Sequence, residues 1–242
     1  MVVGAFLMSH LAIGHLYTAL HAACASAVAR VVEANGVDVS YVDLSADERE
    51  EALARHDIDI LVSAWMPQDE GLVHKGRETI GDLYQPQLAL SVLKDAKDGA
   101  YTSFIVTEES LSYVKAAQEQ HQALKDLAVE TIGEGALLDR VQQAHERGEN
   151  PVFAVWQPHA AFHDGSLVEL PDSNLLQGQS VSAQIILRDG LRDEVDEDLL
   201  DEMSIMMLGT RVMNALDYAV SVQGKDPEEA AEAWQRGRLL PR

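Results

Sequence analysis

The chain opens with an apolar run at residues 2–7, which predicts a buried strand, and a turn follows at Met8-Ser9-His10. Beyond it, Leu11, Leu16, Leu20, Val28, Val31 and Val32 recur at roughly helical spacing. They predict a helix over 11–35 that stops at Asn35-Gly36. Residues 37–42 alternate apolar with polar, as a half-buried strand does. Ser45 caps a short helix over 47–56, and residues 58–65 form a third strand. Strand–helix–strand–helix–strand predicts parallel pairing with crossover helices, and ligands on such sheets sit beyond the carboxyl ends of the strands.

The middle of the chain is less regular. Strands are predicted at 88–93, 101–106, 128–131 and 152–156, with helices over 108–125 and 136–147. A strand at 180–187 leads into 196–222, which reads as a long helix or a broken pair. Asp226-Pro227 then opens the last helix, with Asp226 as cap and Pro227 at its first position. Two strands end alike. One closes on Ala64-Trp65-Met66-Pro67 and the other on Val155-Trp156-Gln157-Pro158. Proline cannot donate to a strand ladder, so each indole is placed at a strand terminus.

Composition narrows the function classes. The net charge is −22, which repels nucleic acid and anionic membrane surfaces. The single cysteine, Cys24, lies in an Ala-rich helical stretch and reads as a small buried apolar residue. No stretch is apolar for long enough to span a bilayer, and no signal peptide is visible at the N-terminus. Aromatics make up only 5% of the chain, so each Trp carries weight.

Two indoles at strand ends suit one kind of ligand. A quaternary ammonium has no N–H to donate and carries its charge diffusely under apolar methyls, so an aromatic face is the surface that attracts it. A carboxylate on the same ligand would be met by N–H groups at the start of the helix after Ser9 and His10. Ordinary packing of both Trp residues at strand ends is the competing explanation.

Three segments resemble the glycine betaine/choline-type substrate-binding proteins of ABC transporters. Asp57-Ile58-Asp59-Ile60-Leu61-Val62-Ser63-Ala64-Trp65-Met66-Pro67 resembles one signature of that family. Residues 148–159, ending Trp156-Gln157-Pro158-His159, together with Phe162 and the 166–170 run, resemble a second. Asp226-Pro227-Glu228-Glu229-Ala230-Ala231 through Trp234 resembles the closing helix. The resemblance implies an α/β, two-lobed, periplasmic-binding-protein-like fold with mostly parallel sheets and crossover helices. Lobe one would be 1–65 with 180–242 and lobe two 66–179, with a ligand cleft between them and hinges near 65–71 and 173–180.

The resemblance further implies an extracytoplasmic, monomeric protein that binds an osmolyte such as glycine betaine or choline. It would deliver that solute to a membrane-embedded ABC permease, with no cofactor, no nucleic acid and no catalysis. Trp65 and Trp156 would be walls of an aromatic cage, with Pro67, Ser9, His10 and His159 beside them. The aromatic that family members often carry in the turn after strand one is missing from Met8-Ser9-His10. Tyr41, Tyr84 and Tyr101 are therefore candidates for a third wall.

Two other classes compete. His159 and His163 are four apart, as metal ligands on a helix can be, but the glutamate of a zinc-protease motif is absent. A cytoplasmic ligand sensor of the same fold is the second. For an enzyme, no nucleophile elbow or phosphate loop is present.

Overall fold

Residues 8–97, 99–176 and 178–240 are described by the computed structural model. In chain order the elements are β1 (His10–Leu16), α1 (Ala19–Ala34), β2 (Asp38–Leu44), α2 (Arg49–Arg55), β3 (Ile60–Met66), β4 (Glu78–Tyr84), β5 (Gln87–Leu93), β6 (Phe104–Thr107), α3 (Val114–Gln120), β7 (Val129–Ile132), α4 (Leu137–Arg147), β8 (Val152–Gln157), β9 (Leu167–Asn174), β10 (Ser182–Leu187), α5 (Glu197–Ile205), α6 (Thr210–Ser221) and α7 (Pro227–Gln235). They form two α/β units. One is residues 1–85 with 181–242, and the other is 86–180. The chain therefore passes from the first unit to the second at Gln85-Pro86 rather than near 65–71, because β4 joins the first sheet beside β10.

The first unit is built on the strand order β2-β1-β3-β10-β4. β1 pairs parallel with both β2 and β3, while β10 runs antiparallel to β3 and β4. Leu11, Ile13, Ile60, Val62 and Ile185 pack under α1, whose inner face is Ala23, Cys24, Ala27 and Val28. Small residues on that face let the helix lie close to the sheet. On the other side Leu53 of α2 and Ile58 cover Leu61 and Ile186.

The second unit has the order β7-β6-β8-β5-β9. Here β7, β6 and β8 are parallel neighbours, and β5 runs antiparallel to both β8 and β9. Its core joins Ile105, Phe153 and Val155 to Leu137 and Val141 of α4. Each unit thus repeats one plan, a β-α-β-α-β run whose third strand ends in Trp-x-Pro. Both X-Pro bonds, Met66-Pro67 and Gln157-Pro158, are cis. The repetition is one of topology. The sheets are mixed rather than mostly parallel, since β10 and β5 enter without a helical crossover and must run against their neighbours.

The largest departure from expectation is at the start. The strand expected at 2–7 lies outside the described residues. Residues 11–16, expected to be helical, are β1. Leu11 and Ile13 are both fully buried on alternate positions, which is the period of a strand, not of a helix. The helix begins only at Ala19, after Thr18 caps it by accepting the His21 N–H. The stretch expected over 196–222 as a long helix or a broken pair is a pair, α5 and α6, separated by Met206 to Gly209.

Candidate functional site

In the first unit β1 and β3 run parallel, so Leu16 and Met66 close the same edge of the sheet. Tyr17 follows β1 directly and is 80% exposed, with its backbone N–H given to Leu44. Trp65 is half-buried at the end of β3. Its backbone N–H donates to Asp69 Oδ2 at 2.7 Å, and Asp69 is itself ion-paired to Arg49 at 2.8 Å. Its indole N–H donates to the hydroxyl of Tyr84 at 3.1 Å. The imidazole of His21, in the first turn of α1, stacks on the indole with centroids 6.2 Å apart and planes at 29°. Burial, aided by the charges of His15 and Arg49, holds that imidazole down to about 3, so it is neutral.

The second unit repeats the arrangement. β6 and β8 are parallel neighbours, and the half-buried Trp156 ends β8. Tyr113, which closes the single helical turns after β6, meets Trp156 edge to face at 6.1 Å and 85°. His159 caps the turn Ala160–Phe162, where its Nδ1 accepts the Ala161 N–H at 3.1 Å. Its neutral form then carries the ring proton on Nε2, and burial pushes its pKa down to about 4.

Several expected residues stand where the sequence placed them: Trp65 and Trp156 at strand ends, Pro67 immediately after β3, and His159 three residues beyond Trp156. Ser9 and His10 do not. They lie at the amino end of β1, where the Ser9 carbonyl accepts from Asp38 and His10 starts the pairing with β2. The turn that follows β1 is Tyr17-Thr18, so the reason for assigning Ser9 and His10 to a ligand is gone.

Among the proposed third walls, Tyr84 is only 1% exposed and braces Trp65 instead. Tyr41 edges onto His15, with its phenol pushed up to about 12 chiefly by burial. Sequence reasoning missed Tyr17, Tyr113 and His21. The polar Thr18 before an Ala-rich run was the signal that would have ended the strand and exposed Tyr17. His159 and His163 flank a single 3-10 turn rather than sharing a helix face. Among the described residues no group of three or more His, Cys, Asp or Glu is placed to hold a metal ion.

Two α/β units of this plan, each presenting an indole at the carboxyl ends of its parallel strands, define a two-lobed solute-binding protein. The chain belongs to the family of substrate-binding domains of ABC-type glycine betaine transport systems, whose model matches residues 10–128 and 112–236. That is a family of binding proteins and not of enzymes. A search of curated protein sequences returns no significant match.

Solved structures share the fold. A lactococcal OpuAC in its closed, liganded conformation with glycine betaine is 22% identical, with a TM-score of 0.68, over 96% of this chain and 98% of that one. A choline-binding protein of an ABC transporter, in complex with choline, is 20% identical with a TM-score of 0.65, over 95% and 88%. The glycine betaine/L-proline-binding protein ProX of Borrelia burgdorferi is 18% identical with a TM-score of 0.66, over 93% and 92%.

Proposed function

We propose that the protein captures a quaternary-ammonium solute such as glycine betaine or choline and hands it, as a monomer outside the membrane, to an ABC permease. The observation that carries this reading is a repeated placement: in each unit an indole ends the third strand of the β-α-β-α-β run (Trp65, Trp156), and a tyrosine follows the first (Tyr17 directly, Tyr113 after its helical turns). A ligand methylammonium at either indole would lie against an aromatic face. A desolvated cation–π contact is worth about 2 kcal/mol, and micromolar binding needs about −8 kcal/mol. Each indole contact would then supply about a quarter, with apolar contact and a carboxylate or hydroxyl anchor adding to it.

For that anchor, α1 begins at the same edge as Trp65, so its first-turn N–H groups and positive dipole end favour an anionic group. Both imidazoles near the indoles are held neutral, so neither opposes a cation.

Calorimetric titration of glycine betaine, choline, carnitine and proline betaine tests the reading. Wild type binds at least one of them, and Trp65→Ala and Trp156→Ala each weaken that binding by tenfold or more. Unchanged affinity in both variants would show that the indoles do not hold the ligand.

A further inference from the structure

Trp65 stands in a row across three strands. Ala183 of β10 pairs with Trp65 on one side and with Tyr84 of β4 on the other. Residues paired directly across a sheet share a face, so Tyr84 and Trp65 are separated only by a methyl group. The small Ala183 leaves room for the phenol to reach the indole N–H. Beside this row the register breaks. In β3, residues 61 to 64 span what Gln184 to Ile186 span in β10. The extra residue lies in the 62–63 stretch, where Ser63 has a left-handed φ of 65°. A bulge re-aims a side chain, and here the Ser63 hydroxyl hydrogen-bonds the Tyr84 hydroxyl. From α1, His21 covers one face of the same indole, with its Nδ1 2.7 Å from the Thr18 hydroxyl.

We propose that Tyr84 and His21 are positioning residues for Trp65: the phenol, itself held by Ser63, sets the rotation of the indole, and the imidazole sets its tilt. An indole N–H can only donate, so the Tyr84 oxygen accepts it, and the phenol hydrogen remains available for the Ser63 oxygen. Burial raises the pKa of the phenol, so it stays protonated. A ligand cation on Trp65 would take the face opposite His21. Preorganisation of this kind lowers the ordering cost of binding. The consequence for affinity rests on the function proposed above; the consequence for the ring does not.

The test uses the full chain labelled with 15N at the indole nitrogens of its three Trp residues, with Trp65→Phe to assign the Trp65 signal. In wild type that N–H should be shifted and slow to exchange with solvent. Tyr84→Phe, which keeps the ring but removes the hydroxyl, should move it and speed exchange at least tenfold, while the Trp156 and Trp234 signals stay. His21→Gln should move it through loss of the ring contact.

Ser63→Gly, which suits the left-handed backbone, should produce a smaller change of the same sign. It stands in if Tyr84→Phe fails to fold. An unmoved Trp65 signal in Tyr84→Phe, or in Ser63→Gly where that variant alone folds, would overturn the proposal. Glycine betaine and choline are then titrated into the same samples, where Tyr84→Phe should bind several-fold more weakly. If wild type binds neither while the Trp65 signal responds as stated, the functional reading fails and the positioning stands. If wild type binds and Tyr84→Phe binds equally well, the positioning has no role in recognition, and that part is overturned.

Discussion

At the residue scale, the aromatic side chains fall into two kinds that composition cannot separate. Tyr84 is enclosed and hydrogen-bonded, so its loss disturbs its neighbours. Tyr17 is almost fully in solvent, and an exposed tyrosine contributes little to folding. If Tyr17 contacts ligand, Tyr17→Ala should lower affinity for the best-bound betaine several-fold while leaving the urea midpoint unchanged. Tyr17→Trp, which keeps an aromatic face, should retain binding. Loss of stability without loss of affinity would make Tyr17 structural.

The two indoles were visible in the sequence because proline follows each at a fixed spacing, and proline ends a strand for a simple covalent reason. Tyr17 was hidden because the Leu11 to Leu16 strand runs into an Ala-rich helix with only Tyr17 and Thr18 between. Apolar residues alone do not mark where a period of two gives way to one of 3.6. His21 was hidden for a different reason, since its contact with Trp65 links residues 44 apart in sequence.

At the element scale, the β3, β10 and β4 ladder carries strain points of the first unit's sheet. Gly81 of β4 has a φ of +71°, and a Cβ there would meet the Met203 carbonyl oxygen at 2.9 Å. A carbonyl at the end of α5 cannot move as a side-chain tip can. Gly81→Ala should therefore cost about 1–3 kcal/mol, from the left-handed backbone and the clash together. Equilibrium urea denaturation measures it, and an unchanged midpoint would show that β4 and α5 part easily.

Cap chemistry was readable from sequence at α7 but not at α2, where Ser45 gives its N–H and hydroxyl to the Glu48 carboxylate instead of capping the helix. Asp226 accepts the Glu228 N–H at 2.9 Å with Pro227 next to it, as its residue type predicts. Bulges are not readable in this way, because the extra residue at 62–63 is defined only against the partner strand.

At the scale of the whole molecule, acid should weaken the fold. The unfolded chain takes up a proton at each histidine near pH 6.5, while folded His21 resists protonation down to about 3. Below pH 6.5 the unfolded state therefore binds more protons, and stability falls with decreasing pH by about 1.4 kcal/mol per unit for that group. His159, held down to about 4 and only partly buried, adds a smaller loss. Glu50, Glu149 and Glu194, whose carboxyls are held low by Arg77, Arg140 and Arg188, lose their contribution only as pH falls through the lowered carboxylate range. The His21 share is the difference between wild type and His21→Gln in the slope of the urea midpoint between pH 6.5 and 4. Equal slopes would mean that the ring is not enclosed as described.

The alternation of strands and helices, the two-lobed class and the family were legible in sequence, whereas β4 and β9 were not expected as strands. The unit boundary was not, because β4 returns to the first sheet through a contact with β10, about 100 residues further along.

The central claim is that indole faces hold a diffuse positive charge, and charge can be removed without changing shape. Calorimetric titration of glycine betaine against 3,3-dimethylbutanoate, and of choline against 3,3-dimethylbutanol, replaces the ammonium nitrogen with carbon and keeps the three methyls. The account predicts at least tenfold tighter binding of the charged member of whichever pair binds, which is about 1.4 kcal/mol. Equal affinity within that pair would contradict it.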